Sequence, residues 1–253
     1  MNDKVSIIIP YYKKKFFFLK TLKSAINQTY KNFEIIIVYD DPSRTDLEYI
    51  KEIIKSNKKI TLFTNKENLG AGYSRNVGIK YSKGPYIAFL DADDVWHSKK
   101  LATQMKFMKK YNVNFSHTSY KIIDEKDKSI GRQMAKPYIS YLDLLKSCDI
   151  GLSTVLVKKK ILKKKIFPKL KTKEDYSLWL KLAKNNKILG INKFLCKWRR
   201  SDNSLSSSAS QRVFDAFLVY FKEENLNFFI SIFRVFILSY FFFLKRIKQR
   251  IYS

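Results

Sequence analysis

Three carboxylates stand close together after an apolar run in the first half of the chain. Asp91, Asp93 and Asp94 follow residues 86–90, which have the composition of a buried strand. Carboxylates at this spacing repel one another unless a positive charge neutralises them. A divalent cation such as Mg²⁺ or Mn²⁺ does so and keeps positions for water and substrate phosphates. A simpler alternative stays open, since Asp94 or Ser98 can cap the helix that follows.

A glycine-rich segment just before these carboxylates could hold an anion. Residues 68–78 read NLGAGYSRNVG. The glycines permit positive φ and close backbone approach, and the start of a helix offers N–H donors. Arg75, one turn into that helix, could pair with a diphosphate or with Asp91 and Asp93. A plain turn with an ordinary ion pair explains the same residues equally well.

Two further acidic pairs lie elsewhere in the chain. Asp40 and Asp41 follow another apolar run and could accept hydrogen bonds from a base or a ribose at a sheet edge. Glu174 and Asp175 begin a segment with helical spacing. Capping and first-turn charge complementarity with the helix dipole are sufficient reasons for acidic residues there.

The elements that must position these residues alternate between strand and helix. We predict strands at 5–10, 33–38, 60–63 and 86–90, and helices at 16–27, 46–56 and 70–81. This alternation is typical of a doubly wound α/β sheet, whose ligands bind outside the carboxyl ends of the strands. Beyond residue 90 the pattern becomes mixed, with helices at 99–110 and 174–184 and strands at 113–120, 152–157 and 187–195.

Composition excludes disordered and fibrous proteins. The chain has 253 residues, 45% of them hydrophobic and 28% charged, and a net charge of +28. Such a charge suggests a polyanionic partner, but scattered lysines, only nine arginines and no recognisable binding module argue against nucleic acid. Two cysteines indicate no disulfide framework, and the amino terminus shows no signal peptide, so we expect a cytoplasmic protein.

The carboxy-terminal segment differs from the rest. Residues 228–244 contain a single charge, Arg234, and Lys245, Arg246, Lys248 and Arg250 follow. The stretch is short for a spanning helix, which needs about 20 apolar residues. Helical spacing places Asn227, Ser231, Arg234, Lys245 and Lys248 on one side. An interfacial helix with a basic end at anionic lipid fits this pattern, and a core helix docked on the domain is the alternative.

An ordered series of motifs resembles family 2 glycosyltransferases with the GT-A fold. The series comprises VSIIIPYY at 5–12, QTY at 28–30, Asp40-Asp41, NLG at 68–70, SRN at 74–76 and YIAFLDADD at 86–94. Residues 173–180 are similar to the Glu-Asp element of the family, and 198–200 with 203–206 to its closing loop. The resemblance covers roughly residues 4 to 210, and the series is more specific than any one motif.

The resemblance implies a role for each matching residue. Pro10, Tyr12, Asp40 and Asp41 would form the pocket of the nucleotide base, and Arg75 and Asp91 would flank the ribose and diphosphate. Asp93, with Asp91 beside it, would hold Mn²⁺ or Mg²⁺ between the protein and the donor phosphates. Asp175 would be the general base that deprotonates the acceptor hydroxyl for attack with inversion.

The resemblance also implies a fold, a domain plan and an activity. The fold would be a Rossmann-like mixed sheet flanked by helices, followed by a helical membrane-associating tail. Residues 1–212 would be catalytic, with a nucleotide-sugar half at 1–97 and an acceptor half at 98–212, and 213–253 would be the amphipathic tail. The enzyme would transfer a sugar from a nucleotide diphosphate sugar to a saccharide or lipid-linked acceptor for cell-envelope polysaccharide, as a peripheral protein on the inner face of the plasma membrane.

Two alternatives and three departures stand beside this interpretation. A catalytically idle adaptor of the same fold is one alternative, and a sugar nucleotidyltransferase is the other, although residues 10–13 read PYYK where the latter needs a glycine-rich loop. Lys13 stands where the family usually has Asn, and Pro42 where it has Gly. Ser201 stands near a position where many relatives carry a metal-binding His, so a cation would rely more on water or on Asp93 alone.

Overall fold

The computed structural model describes residues 3–162, 166–201 and 208–251. Its first half is built from four parallel strands in the order β3-β2-β1-β4. These strands and the helices between them are β1 (Val5–Tyr11), α1 (Lys15–Ile26), β2 (Phe33–Tyr39), α2 (Leu47–Ile54), β3 (Ile60–Thr64), α3 (Gly70–Tyr81) and β4 (Tyr86–Phe89). Every residue of β1, β2 and β4 is buried, as expected for strands covered on both faces. The predicted alternation is confirmed.

The second half extends the same sheet with strands of both directions. Its elements are β5 (Val95–Trp96), α4 (Lys100–Lys110), β6 (Phe115–Ile123), β7 (Ser129–Gln133), β8 (Tyr138–Ile139), α5 (Tyr141–Leu144), β9 (Leu156–Lys158), α6 (Glu174–Ala183) and β10 (Ile188–Arg199), with 3₁₀ turns at Leu152–Thr154 and Lys159–Ile161. The order continues β4-β9-β6-β10-β5, with β9 antiparallel to both of its neighbours and β10 parallel to β6. The predicted mixed α/β sheet is therefore confirmed.

The strand predicted at 152–157 begins later than expected. Residues Leu152–Thr154 form a 3₁₀ turn, and only Leu156–Lys158 pairs with neighbouring strands. Backbone carbonyls of the turn accept hydrogen bonds from side chains and not from a neighbouring strand. The Ser153 carbonyl accepts from the Trp96 indole at 2.7 Å, and the Thr154 carbonyl accepts from the Gln104 amide at 3.0 Å.

The sheet separates two hydrophobic cores. Because side chains alternate along a strand, Ile7 and Ile9 of β1 point into the core under α1, α2 and α4, whereas Ile8 points into the other core. α3 lies so close to β1 on that second face that a Cβ at Gly78 would overlap Ile8 Cγ2. This close approach fixes the distance of α3 from β1.

The carboxy-terminal helices pack on the second core. They are α7 (Ala209–Leu218), a π-helical turn (Val219–Glu223) and α8 (Phe228–Ile251). Ala216, Tyr220 and Leu238 are buried in that core, and the Tyr220 hydroxyl lies 2.8 Å from the hydroxyl of Tyr176 on α6. The predicted boundary between residues 212 and 213 falls inside α7, and the chain beyond it contributes side chains to the core.

α8 has two unlike faces. The face toward the protein carries Ser231, Leu238 and Lys245, and the Lys245 ammonium lies 3.3 Å from Asp149 Oδ1 and donates to the Cys148 carbonyl. Of the polar stripe expected from the sequence, Ser231 and Lys245 thus meet the protein, whereas Asn227 is exposed. The opposite face exposes a row of aromatic side chains, namely Phe229, Phe233, Phe236, Tyr240 and Phe243. By length and composition alone, the window Phe228–Lys245 would also suffice to span a bilayer.

Candidate active site

The acidic residues singled out in the sequence gather at one edge of the sheet. β1, β2 and β4 are parallel, so their carboxyl ends meet there. Tyr12 follows β1, Asp40 and Asp41 follow β2, and Asp91 comes just after β4. Pro10 is buried within β1, whereas Tyr12 is 38% exposed at the rim. This is the edge at which open α/β sheets bind their ligands.

Asp93 is paired with the lysine at the N-cap of α1. The Lys14 ammonium lies 2.8 Å from Asp93 Oδ2, and both side chains are mostly buried. Burial raises the pKa of Asp93, and the Lys14 charge opposes that shift. The sequence reasoning did not find Lys14. Its signal was a run of lysines directly after β1, which must lie at the same edge as Asp93.

Arg75 joins two acidic segments that are far apart in the sequence. Its guanidinium lies 2.8 Å from Asp91 Oδ1 and 2.6 Å from Glu174 Oε1. Burial acts to lower the pKa of Arg75, but these two carboxylates outweigh it and raise the pKa. A Cβ at Gly72 would stand 3.0 Å from Glu174 Cγ, so α3 approaches the start of α6 closely. Arg75 therefore fixes the position of α6 relative to Asp91.

Glu174 and Asp175 form the first turn of α6. Lys173 precedes them in the left-handed region, with φ 65°, and thereby turns the chain into the helix. Burial raises the pKa of Glu174 to about 7, with Arg75 acting in the opposite direction. Burial also raises the pKa of Asp175, against the charges of Arg75 and Lys173. Asp175 is consequently a stronger base than an exposed aspartate.

Asp40 and Asp41 make internal hydrogen bonds that shape the adjoining loops. Asp40 accepts from the backbone N–H of Leu69 at 3.0 Å and of Gly70 at 2.8 Å. It thereby ties the end of β2 to the start of α3, where Gly70 has φ +84°. Asp41 accepts from the N–H and the hydroxyl of Ser43 at 3.1 and 2.8 Å. Both carboxylates are buried, so their demonstrated contacts are with the protein itself.

Asp94 and Arg199 support the loop that carries Asp93. Asp94 Oδ1 accepts from the Arg199 N–H at 2.8 Å, and Arg199 Nε donates to the Asp93 carbonyl at 3.0 Å. The N-cap residue of α4 is Lys99, whose side chain makes no cap, and the Leu101 N–H in the first turn donates to Gln28 Oε1 at 3.0 Å. The capping role considered for Asp94 or Ser98 is therefore wrong. Arg199 also pairs with Asp127 at 2.6 Å and stacks on Phe17. The predicted closing-loop residues 203–206 lie outside the described residues.

The donor set at this edge suits a hard divalent cation that also binds phosphates. Asp91 and Asp93 supply carboxylate oxygens, and Mg²⁺ or Mn²⁺ commonly takes one or two carboxylates together with water and substrate oxygens. Within residues 3–162, 166–201 and 208–251, no three His, Cys, Asp or Glu side chains converge on one point. His117 is buried, which lowers its pKa to about 4 and keeps it neutral. Two carboxylates match the number that such a cation takes when a ligand supplies the other oxygens, and here Asp91 is paired with Arg75 and Asp93 with Lys14.

The sequence matches a known family and a characterised relative. The profile of Glycosyl transferase family 2 matches residues 6–171. The chain is 40% identical over 206 residues to an Escherichia coli protein, UDP-Glc:alpha-D-GlcNAc-diphosphoundecaprenol beta-1,3-glucosyltransferase WfgD. That match covers 81% of this chain and 80% of WfgD.

Two solved structures share the fold. TarS of S. aureus (residues 1–349, in complex with UDP-GlcNAc) superposes with a TM-score of 0.70 at 21% identity, covering 90% of this chain and 69% of that one. The mannosyltransferase PcManGT of Pyrobaculum calidifontis, in complex with GDP-Man and Mn²⁺, gives 0.66 at 15% identity, covering 88% of this chain and 64% of that one. At these low sequence identities, the two superpositions show a shared fold and nothing further.

Proposed function

The chain belongs to glycosyltransferase family 2, and we propose that it transfers a sugar from a nucleoside diphosphate sugar to an acceptor linked through a diphosphate to a membrane lipid. One observation carries the catalytic part of this proposal. Arg75 bridges Asp91 and Glu174, which brings the carboxylates beside β4 and the candidate base Asp175 to one edge of the sheet. The acceptor class is supported by the name of WfgD, to which four residues in ten are identical.

Asp91 and Asp93 would hold Mn²⁺ or Mg²⁺ at the donor phosphates. A bound cation of this kind stabilises the charge that develops on a nucleoside diphosphate leaving group. Lys14 already pairs with Asp93 at 2.8 Å. We propose that Lys14 turns from Asp93 to the phosphates when the donor binds, because its charge would otherwise face the cation.

The transfer step follows from the position of Asp175. The acceptor hydroxyl oxygen attacks the anomeric carbon of the donor and forms the new glycosidic bond, while the bond from that carbon to the diphosphate oxygen breaks. The electron pair leaves with the nucleoside diphosphate, and the hydroxyl proton passes to an Asp175 oxygen. Attack from the face opposite the leaving group inverts the anomeric configuration. Tyr176 N–H donates to Asp175 Oδ1 at 2.7 Å, which holds the carboxylate in place.

We also propose that the nucleotide base lies between Pro10, Tyr12 and the loops after β2. Asp40 and Asp41 accept hydrogen bonds from backbone N–H groups of the neighbouring loops. We therefore propose that they hold these loops in the shape of the pocket. With a lipid-linked acceptor, the enzyme would act at the cytoplasmic face of the membrane in cell-envelope polysaccharide synthesis. The exposed aromatic face of α8 supports a peripheral attachment there.

The test is a transfer assay with UDP-glucose, Mn²⁺ and a synthetic GlcNAc-diphospholipid. We expect Asp175→Asn to bind UDP normally but to lose at least about a thousandfold in kcat, because general base catalysis and charge at the reacting hydroxyl are both removed. Asp93→Ala should lose both activity and Mn²⁺-dependent UDP binding.

Lys55→Met, on the exposed side of α2, is the matched control and should behave as the parent does. Full transfer by the Asp175 variant would refute its role as base. The cation site would be refuted if UDP binding did not depend on Mn²⁺ and were the same in the Asp93→Ala variant as in the parent. A parent protein that binds UDP-sugar with Mn²⁺ but transfers nothing to any acceptor tested would favour an idle adaptor.

A further inference from the structure

A cavity of about 200 Å³ lies beside Asp175, between the start of α6 and the carboxy-terminal helices. Its walls include Lys173, Asp175, Arg212, Leu238, Phe242 and Lys245. Sites for drug-sized ligands usually measure about 300 to 1,000 Å³. This cavity therefore suits a small group, such as one sugar ring or a pair of phosphates.

Basic side chains dominate the charged part of its wall. Lys173, Arg212 and Lys245 face the cavity together with the carboxylate of Asp175. The Lys245 ammonium lies 3.3 Å from Asp149 Oδ1. We assign contact with a ligand to Lys173 and Arg212 because they line the cavity from the loop before α6 and from α7. Lysine and arginine together suit a phosphorylated group, with arginine able to bind it through two parallel hydrogen bonds.

The wall is held in shape by contacts between α7 and the loop before α6. Asp215 on α7 accepts from the Thr172 N–H and hydroxyl, each at 2.8 Å, and from the Gln211 amide at 3.0 Å. These donors use the Asp215 carboxylate to hold α7 against the loop before α6. They also fix Lys173, which follows Thr172 with φ 65°. The basic side chains therefore project from a rigid frame.

The other side of the cavity is apolar and belongs to α8. Leu238 is buried, whereas Phe242 is 41% exposed and reaches the outer surface. The guanidinium carbon of Arg212 lies 5.8 Å from the centre of the Phe242 ring. The cavity thus borders the exposed aromatic face of α8. A ligand that carries phosphates next to a hydrocarbon chain matches this junction of charge and apolar surface.

We propose that this cavity is the subsite for the diphosphate of a polyprenyl-linked acceptor. Lys173 and Arg212 bind the diphosphate, the acceptor sugar extends toward Asp175, and the hydrocarbon chain leaves past Phe242 along α8. The proposal rests on the proposed function for its acceptor class. It adds the residues that select an acceptor with phosphates over a free sugar.

The direct test is the binding of farnesyl diphosphate to the full chain, measured by calorimetry in the presence of UDP and Mn²⁺. We expect Lys173→Asn and Arg212→Gln each to weaken binding by about tenfold, since each removes a charged hydrogen-bond donor. Asn tolerates the left-handed backbone at position 173. Arg212→Lys should restore part of the loss, and Lys55→Met should bind as the parent does. Retained UDP binding shows that each variant is folded.

Several results would overturn the proposal. One is that the parent protein does not bind farnesyl diphosphate, and another is that both variants bind it as tightly as the parent. A third is that the variants lose as much affinity for farnesol, which has no phosphates, as for farnesyl diphosphate. Phosphatidylglycerol vesicles distinguish a headgroup site. If the variants lose vesicle binding but keep farnesyl diphosphate binding, the cavity serves lipid headgroups and the proposal is wrong.

Kinetics separate this proposal from the proposed function. With a GlcNAc-diphospholipid acceptor, the Arg212→Gln variant should raise the acceptor KM about tenfold and leave kcat and the donor KM unchanged. A neutral alkyl glycoside of GlcNAc should show no such change. If no acceptor is glycosylated but farnesyl diphosphate binds as expected, the proposed function fails and the anionic subsite stands. An equal rise in KM for the neutral glycoside would contradict a phosphate subsite.

Discussion

The Lys14 ammonium is paired with Asp93, the carboxylate proposed to hold the cation. The two groups are 2.8 Å apart and largely buried, so the pair is only weakly screened by solvent. We expect Lys14→Met to bind Mn²⁺ about tenfold more tightly in the absence of nucleotide, because the competing positive charge is gone.

Titration calorimetry with Mn²⁺ alone checks this prediction. Lys15→Met is the control, because the Lys15 ammonium lies over the Tyr49 ring at 5.1 Å and makes no described ion pair with Asp93. An unchanged Mn²⁺ affinity in the Lys14 variant would show that the pair does not compete with the cation.

The carboxylates at the start of α6 predict a pH dependence. Burial raises the pKa of Asp175 and brings that of Glu174 to about 7. The protonated form of Asp175 cannot accept a proton, and protonated Glu174 loses its ion pair with Arg75. Transfer should therefore increase from pH 5.5 and level off above about pH 7.5, with log kcat rising as the protons leave.

Glu174→Gln separates the two groups. Gln keeps the size of the side chain but does not titrate, so the rise in kcat that Glu174 causes near pH 7 should disappear, and the remaining dependence on pH belongs to Asp175. Stopped-time assays over this range, with saturating donor, measure the effect. A parent profile that is flat between pH 5.5 and 8 would contradict the prediction.

At the scale of elements, the contact between α3 and β1 determines where the Arg75 guanidinium lies. A Cβ at Gly78 would overlap Ile8 Cγ2 in a fully buried strand. We expect Gly78→Ala to lower the free energy of unfolding by about 1 to 3 kcal/mol, because a packed core must shift to admit it.

Urea denaturation measures this change. Lys80→Ala, on the exposed side of the same helix, should change the stability by less than about 0.5 kcal/mol. Equal effects of the two substitutions would mean that α3 does not rest on Ile8 as described.

Strands β1 and β2 could be predicted because continuous runs of β-branched residues are typical of strands that are buried on both faces of a parallel sheet. The two-residue strands β5 and β8 could not, since two residues carry no period. The strand expected at 152–157 was shortened because the carbonyl of Ser153 serves a side chain from another element. Tertiary contacts of this kind have no local signal.

The strand pattern alone could place only those site residues that follow the carboxyl end of a strand, whereas Arg75, Glu174 and Asp175 were predicted from helix starts and from the family resemblance. Asp91 and Asp93 follow β4 directly, so the alternation of elements was enough to place them. The pairing of Arg75 with Glu174 spans 99 positions and depends on the packing of α3 against α6. The position of Lys14 depends on the turn at Lys13, which has a φ of 48°. The sequence contains no signal that predicts this backbone conformation.

At the scale of the whole molecule, the chain beyond residue 212 is continuous with the catalytic body. α7 braces the loop before α6, and α8 closes one wall of the cavity beside Asp175. Removing residues 226–253 would therefore disturb the candidate acceptor site as well as any membrane contact. Point substitutions on the outer face of α8 separate the two effects.

The exposed face of α8 predicts membrane binding. Phe233 and Phe236 are 63% and 70% exposed, and burial of one such ring in an apolar phase contributes about 1.5 to 3 kcal/mol. We expect the double variant Phe233→Ser, Phe236→Ser to bind phosphatidylglycerol vesicles at least about tenfold more weakly, with UDP binding unchanged.

Flotation with vesicles provides the measurement. Tyr111→Ser removes an aromatic ring that is 51% exposed at the end of α4, and it serves as the control. Equal vesicle binding by the double variant and the parent would show that α8 is not the attachment surface.

The shared use of α8 has a kinetic consequence. On the proposed attachment, α8 would lie in the interface and also form a wall of the cavity beside Asp175, so the enzyme would meet the proposed lipid-linked acceptor by lateral diffusion, without lifting it out of the bilayer. The search for the acceptor then takes place in two dimensions. Rates should follow the mole fraction of acceptor in the vesicle, and added acceptor-free lipid should slow transfer by dilution at constant bulk concentration.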